Sequence, residues 1–174
     1  MTPDEVRTRS LYLFLACSQA AQQFADQLAA TLPTSVATTR RSLEKAFRRE
    51  LGILIRFWAS RQIWQRLEAS EADAKELNIA LLRLFTETFG LPKDGSGLRY
   101  ASLTSATEES RELGQRLTSV LGMEHQPLLA ELKRSVSLWN EVVTKYTVEA
   151  LTLPVDHLVT SVKAWAERSP EPQT

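Results

Sequence analysis

A chain of 174 residues with 43% hydrophobic and 24% charged side chains has the composition of an ordinary globular protein and excludes the disordered, collagenous and membrane classes. It is long enough to bury about two-thirds of the surface that its unfolded form exposes. Its formal net charge of zero and its pI of about 6.8 exclude a strongly basic protein dedicated to nucleic acid.

The first element opens on the capping box "TPDE", with Thr2 as N-cap, Pro3 in the first helical position and Glu5 reaching back to the cap N–H. Ser10, Phe14, Cys17, Ala21, Phe24 and Leu28 then recur at spacings of three and four, a helical stripe that ends at "TLPTS", Thr31–Ser35. The apolar run Leu11–Cys17 lies within it, well short of the roughly 20 residues of a membrane span. Asp4 and Glu5 stand where a signal peptide carries positive charge. Cys17 is the lone cysteine, so there is no disulfide framework; a cytoplasmic location is expected, with the thiol as a small core hydrophobe.

A second helix is predicted from near Thr34 or Ser35 to about Ala69, long enough that either Gly52 marks a bend or the helix projects past its neighbours. Its segment Arg40–Leu67 holds eight of the chain's 21 basic residues and only two acidic ones. Leu43, Phe47, Leu51, Leu54, Phe57, Trp58 and Ile63 read as its core face. Arg41, Lys45, Arg48, Arg49, Arg56 and Arg66 gather within about 100° of another arc at the helical step of 100° per residue, with Ile55 and Trp64 on or beside it. Trp and Arg are the types enriched in interface hot spots. The interaction set is therefore Arg41, Lys45, Arg48, Arg49, Ile55, Arg56 and Trp64, facing an acidic protein partner or a second copy of the chain. A nucleic-acid or anionic-lipid surface along Arg40–Arg66 is the alternative for the same face, and a solvated face paired with carboxylates of neighbouring helices is the plainer reading.

A third helix runs from the cap signal "SEAD", Ser70–Asp73, to Gly90, with Pro92 beyond it. The loop Gly90–Tyr100 contains "GSG", Gly95–Gly97, without the preceding strand or the spacing of a phosphate loop or nucleophile elbow. A fourth helix is capped by Ser105 with Glu108 and stops at Gly122; a fifth begins at Pro127 and breaks before Pro154. The fifth carries the stripe Leu128, Leu132, Val136, Trp139, Val143, Tyr146 and Ala150. A sixth, Val155–Glu167, carries Val155, Leu158, Val162, Trp165 and Ala166, and the tail "SPEPQT" reads as disordered.

The expected fold is thus all-α: an antiparallel bundle of about six helices, three long (the first, second and fifth) and three shorter, forming one domain over residues 1–168 with a tail at 169–174. No Glu-x-x-His pair for a di-iron bundle occurs. His125 reads as a turn or cap residue, and His157 beside Asp156 would need a distant carboxylate to hold a metal. No catalytic, metal or cofactor motif stands out, which points to a non-enzymatic, self-associating interaction module. Trp58, Trp139 and Trp165 supply a rival reading, a sensor-like bundle whose tryptophans line a cavity for a small apolar ligand.

Overall fold

A computed structural model describes residues 1–33, 40–90 and 99–168. Within them the chain forms six helices, α1 (Pro3–Ala29), α2 (Arg40–Arg66), α3 (Glu71–Phe89), α4 (Ala106–Leu121), α5 (Gln126–Thr152) and α6 (Val155–Arg168), and no strand. The three long helices are those expected. No helix among the described residues is long and apolar enough to cross a membrane. The expected start of α2, the "GSG" loop and the 169–174 tail lie outside the described residues.

The helix ends follow local chemistry. Thr2 Oγ1 accepts from the Glu5 N–H while Glu5 Oε2 accepts from the Thr2 N–H at 2.7 Å, completing the box at the head of α1. Ser105 caps α4 by accepting from the Glu108 N–H. Gly90 and Gly122 close α3 and α4 at φ +58° and +74°, a left-handed turn that a side chain resists. Helix α2 stops at Arg66 rather than Ala69, because Leu67–Ser70 already turns, with the Ser70 N–H donating to the Leu67 carbonyl at 2.8 Å. Ser70 precedes α3, but its hydroxyl bonds the Asp73 carboxylate instead of the backbone. His125 stands at the N-cap of α5 without a side-chain capping bond.

Side-chain contacts fix the directions. Arg9 of α1 donates to the carbonyls of Ala150 and Leu153, both at 2.9 Å, and so satisfies orphan acceptors at the C-terminus of α5. Tyr12 donates to Glu149 at 2.7 Å, and Trp139 of α5 donates to Gln27 near the far end of α1 at 2.9 Å; α1 and α5 therefore run antiparallel. Phe89 at the end of α3 lies on Gly52 of α2, which makes α2 and α3 an antiparallel hairpin. Helix α2 continues through Gly52 without a break. The Phe89 ring packs over Gly52 at a distance that leaves room for a Cβ.

Every member of the α1 stripe, from Ser10 to Leu28, is buried. Phe14 meets Phe85 edge-on at 5.2 Å, and Phe24 stacks on Trp139 at 5.5 Å, geometries that aromatic quadrupoles favour. Helix α2 differs from the expected one-faced helix. Leu51–Ile55 is buried all the way round, because α1, α3, α4 and α5 all pack against α2. A helix apolar on every side belongs in the middle of its bundle. The position of α2 at the centre decides which of its basic residues reach solvent.

Candidate interaction face on α2

The basic arc of α2 is divided along its length. In the first half Lys45, Arg48 and Arg49 are exposed. Just beyond Gly52 the same arc is covered, with Ile55 and Ala59 both 0% exposed, and it opens again only at Arg66, the last residue of the helix. Ile55 is therefore a core residue, and its place in the interaction set is corrected. Its angle on the helix matched the basic side, but neighbouring helices close over that level. Arg56 is half-buried, its guanidinium 4.1 Å from the Phe57 ring. Burial lowers its pKa from the ordinary arginine value, and its Nε is buried without a hydrogen-bond partner. The side chain of Arg41 lies outside the described residues.

Trp64 is 42% exposed, as expected, yet it is not part of the same patch. Sixteen residues separate it from Arg48, about 24 Å of rise and some 160° of rotation. The interaction set thus splits into a basic group near the start of α2 and a lone tryptophan near its end.

The basic group lines a cleft of about 430 Å³ together with Ala46, Glu50, Thr88, Phe89 and Val120. Phe89 comes from the end of α3 and half-exposed Val120 from the end of α4. The walls combine three cations with an apolar floor, and the Arg48 guanidinium sits 5.9 Å over the Phe89 ring. Glu50 is the carboxylate of this wall, and it is engaged elsewhere: Arg99 donates to both of its oxygens and also lies 3.9 Å from Glu112. Burial alone would lower the Arg99 pKa; the hydrogen bond and charge of Glu50 outweigh it and leave it raised. Among the described residues, Lys45, Arg48 and Arg49 form no ion pair.

One basic residue of α2 is fully committed inside the bundle. Arg61 pairs with Glu109 of α4 at 3.1 Å and donates to the Leu103 carbonyl. Glu109 is 1% exposed and also accepts from the Trp58 indole N–H at 2.6 Å. Among the α2 cations whose side chains are described, the expectation of pairing with carboxylates of neighbouring helices holds at Arg61. In the sequence Glu109 stands between Glu108 and Glu112, an acidic run at the head of α4 that reads as solvated. The overlooked signal was its position in the apolar line Glu109, Leu113, Leu117, four residues apart.

The three tryptophans offered as cavity lining occupy separate places. Trp58 is buried against Glu109, Trp139 is stacked on Phe24, and Trp165 packs at 5.0 Å on Tyr12. Neither the basic cleft nor a larger groove of about 820 Å³ between α4 and α5 touches any of them. Each of the three tryptophans thus makes its own packing contact with a different neighbour. Cys17 is fully buried, and burial raises its thiol pKa, the opposite of an activated nucleophile. No cluster of three or more His, Cys, Asp or Glu among the described residues is arranged to hold a metal.

Comparison with protein-family models, with curated proteins and with solved structures found no match.

Proposed function

We propose that this protein is a non-enzymatic helical interaction module that receives an acidic partner surface in the cleft at the start of α2. The observation that carries the reading is the trio Lys45, Arg48 and Arg49. They are exposed, form no ion pair among the described residues, and flank the apolar Phe89 and Val120. Such cations steer an oppositely charged surface into place, while burial of an apolar anchor against Phe89 supplies the holding energy. Arginine forks favour carboxylates geometrically.

The test is fluorescence anisotropy with a labelled peptide of glutamates around one tryptophan, at low and high salt. Binding that weakens with salt, and by about tenfold or more, a loss of about 1.4 kcal/mol, in Arg48→Glu/Arg49→Glu supports the reading. An absence of binding at low salt refutes it. So does a mixed-sequence DNA duplex that binds as tightly as the peptide, since the cleft would then be a general polyanion surface.

A further inference from the structure

The two ends of α2 are opposite in chemistry. The basic cleft stands at one end. At the other, exposed Trp64 is followed by the turn out of α2 and the first turns of α3, where Glu68, Glu71 and Glu76 are all exposed. The head of α1 adds Asp4 and Glu5 to this end, because the Met1 amino group donates to Asp73 Oδ1 at 2.9 Å. Six carboxylates (Asp4, Glu5, Glu68, Glu71, Asp73 and Glu76) stand here with four cations: Arg7, Arg66, Lys75 and the Met1 amino group. The end is net acidic and exposes two large apolar side chains, Trp64 and Met1, of which Trp64 is the aromatic one.

These features are what the cleft calls for: carboxylates for Lys45, Arg48 and Arg49, and an aromatic anchor for the Phe89 floor. They cannot meet within one molecule. Trp64 and Arg48 sit about 24 Å apart on a continuous helix, and α2 is locked on all sides at its middle. Only a second copy can bring them together. The charge of the whole chain favours the encounter, since a net charge of zero leaves no long-range repulsion between copies at neutral pH.

We propose that the Trp64-bearing acidic end of one copy docks into the Lys45–Arg48–Arg49 cleft of the next. This rests on the reading of the cleft as an acceptor of acidic surfaces and names the surface. Trp64 lies against Phe89 and Val120, within reach of Arg48 for a cation–π contact. Glu68 and Glu71 face the cleft's cations. The contact is heterologous, with different patches on the two partners, so each bound copy leaves one free cleft and one free acidic end. Such a contact propagates into a ring or an open chain. Its strength is salt-dependent because the charged rim is solvated.

Complementation tests this geometry. Two variants are made, Arg48→Glu/Arg49→Glu to spoil the cleft and Trp64→Ala/Glu68→Lys to spoil the acidic end. Each is checked for helical circular dichroism, with Lys45→Glu/Arg49→Gln as a second cleft variant should the first lose it. Light scattering after size exclusion should give the wild type a mass that climbs above the 19.6 kDa protomer with concentration and falls back with salt. Each variant alone should remain a protomer. Their equimolar mixture should form a pair at twice the protomer mass and nothing larger, because one intact cleft meets one intact end.

A wild type that stays a protomer at every concentration overturns the proposal, as does a dimer that both variants leave intact or a mixture that fails to pair. If the acidic peptide binds while the wild type remains a protomer, the cleft reading stands and the head-to-tail contact falls. If the peptide does not bind, the cleft reading falls with it.

Discussion

Replacement of Glu109 by alanine should be among the most damaging single changes in this bundle, and its cost can be built from the contacts. Glu109 is 1% exposed and accepts two bonds, from Trp58 Nε1 at 2.6 Å and from Arg61 Nη1 at 3.1 Å. Alanine leaves the indole N–H of Trp58 buried and unpaired, at about 1–3 kcal/mol. Arg61 loses its counter-charge but keeps the Leu103 carbonyl and remains 25% exposed, so its share falls well below the 3–5 kcal/mol of a fully buried broken pair. The sum is about 2–4 kcal/mol. Glu109→Gln retains an acceptor for Trp58 and forfeits only the charge, which should cost about 1 kcal/mol. Trp58→Phe removes the donor and leaves Arg61 to satisfy the carboxylate, at a similar cost. Because the two residues share one bond, the double variant should recover about 1 kcal/mol relative to the sum of the singles. Urea unfolding followed by far-UV circular dichroism, with an unchanged m-value, measures all four proteins. A Glu109→Ala loss below about 1 kcal/mol, or strict additivity with Trp58→Phe, would show that the network does not hold α2 to α4.

Two glycines inside helices should respond differently to alanine. At Gly52 an added Cβ meets Phe89 Cδ1 at 3.4 Å, an ordinary contact, whereas at Gly114 it meets Leu129 Cδ2 at 3.0 Å. Gly52→Ala should therefore gain about 0.5–1 kcal/mol from reduced backbone entropy, and Gly114→Ala should gain less because Leu129 must yield. Thermal unfolding of both separates them, and an equal or reversed ranking refutes the packing argument. Cys17 governs the alkaline side. Its folded pKa is raised by burial, so the native state holds its proton longer than the unfolded chain does. Stability from this group is complete below the unfolded value of about 8.5 and declines as pH rises beyond it. The Met1 amino group, whose pKa is raised by its hydrogen bond to Asp73, acts in the same direction, so the comparison must be against Cys17→Ala. That variant should show a shallower fall in urea midpoint between mildly alkaline conditions and the onset of tyrosine ionisation. A native thiol that reacts with iodoacetamide as fast as a free peptide would contradict the burial.

Much of the fold was legible because it is written in short-range chemistry. A capping box needs only Thr2 and Glu5, and the ends at Gly90 and Gly122 need only a residue that tolerates positive φ. The α1 stripe was legible in full, since a helix at the side of a bundle shows its neighbours one consistent face. The end of α2 was less so: Arg66–Ala69 has no proline or glycine, and the turn there is set by the docking of α3, which local propensity does not report. The acidic run at the head of α4 shows the same gap at finer scale. Glu108 reaches back to accept from the Thr104 N–H, Glu109 is buried, and Glu112 lies near Arg99. One step along a helix is 100° of rotation, enough to turn a solvated carboxylate into a buried one.

The basic stretch exposes the deeper reason for what sequence reading missed. A helical wheel collapses position along the axis and keeps only the angle, so Ile55 and Arg56 fell in with Lys45 and Arg49. Coverage, however, changes along the axis, and α2 passes from an exposed first half into a middle enclosed on all sides. A charged residue within the enclosed length must find a partner or sit half-desolvated. Arg61 found Glu109, while Arg56 was left against an aromatic ring with its Nε unbonded. Charges outside that length carry no such obligation to the fold. The fold therefore explains Arg61 and leaves Lys45, Arg48 and Arg49 unexplained, and it is that remainder, rather than the count of basic residues, that argues for a partner.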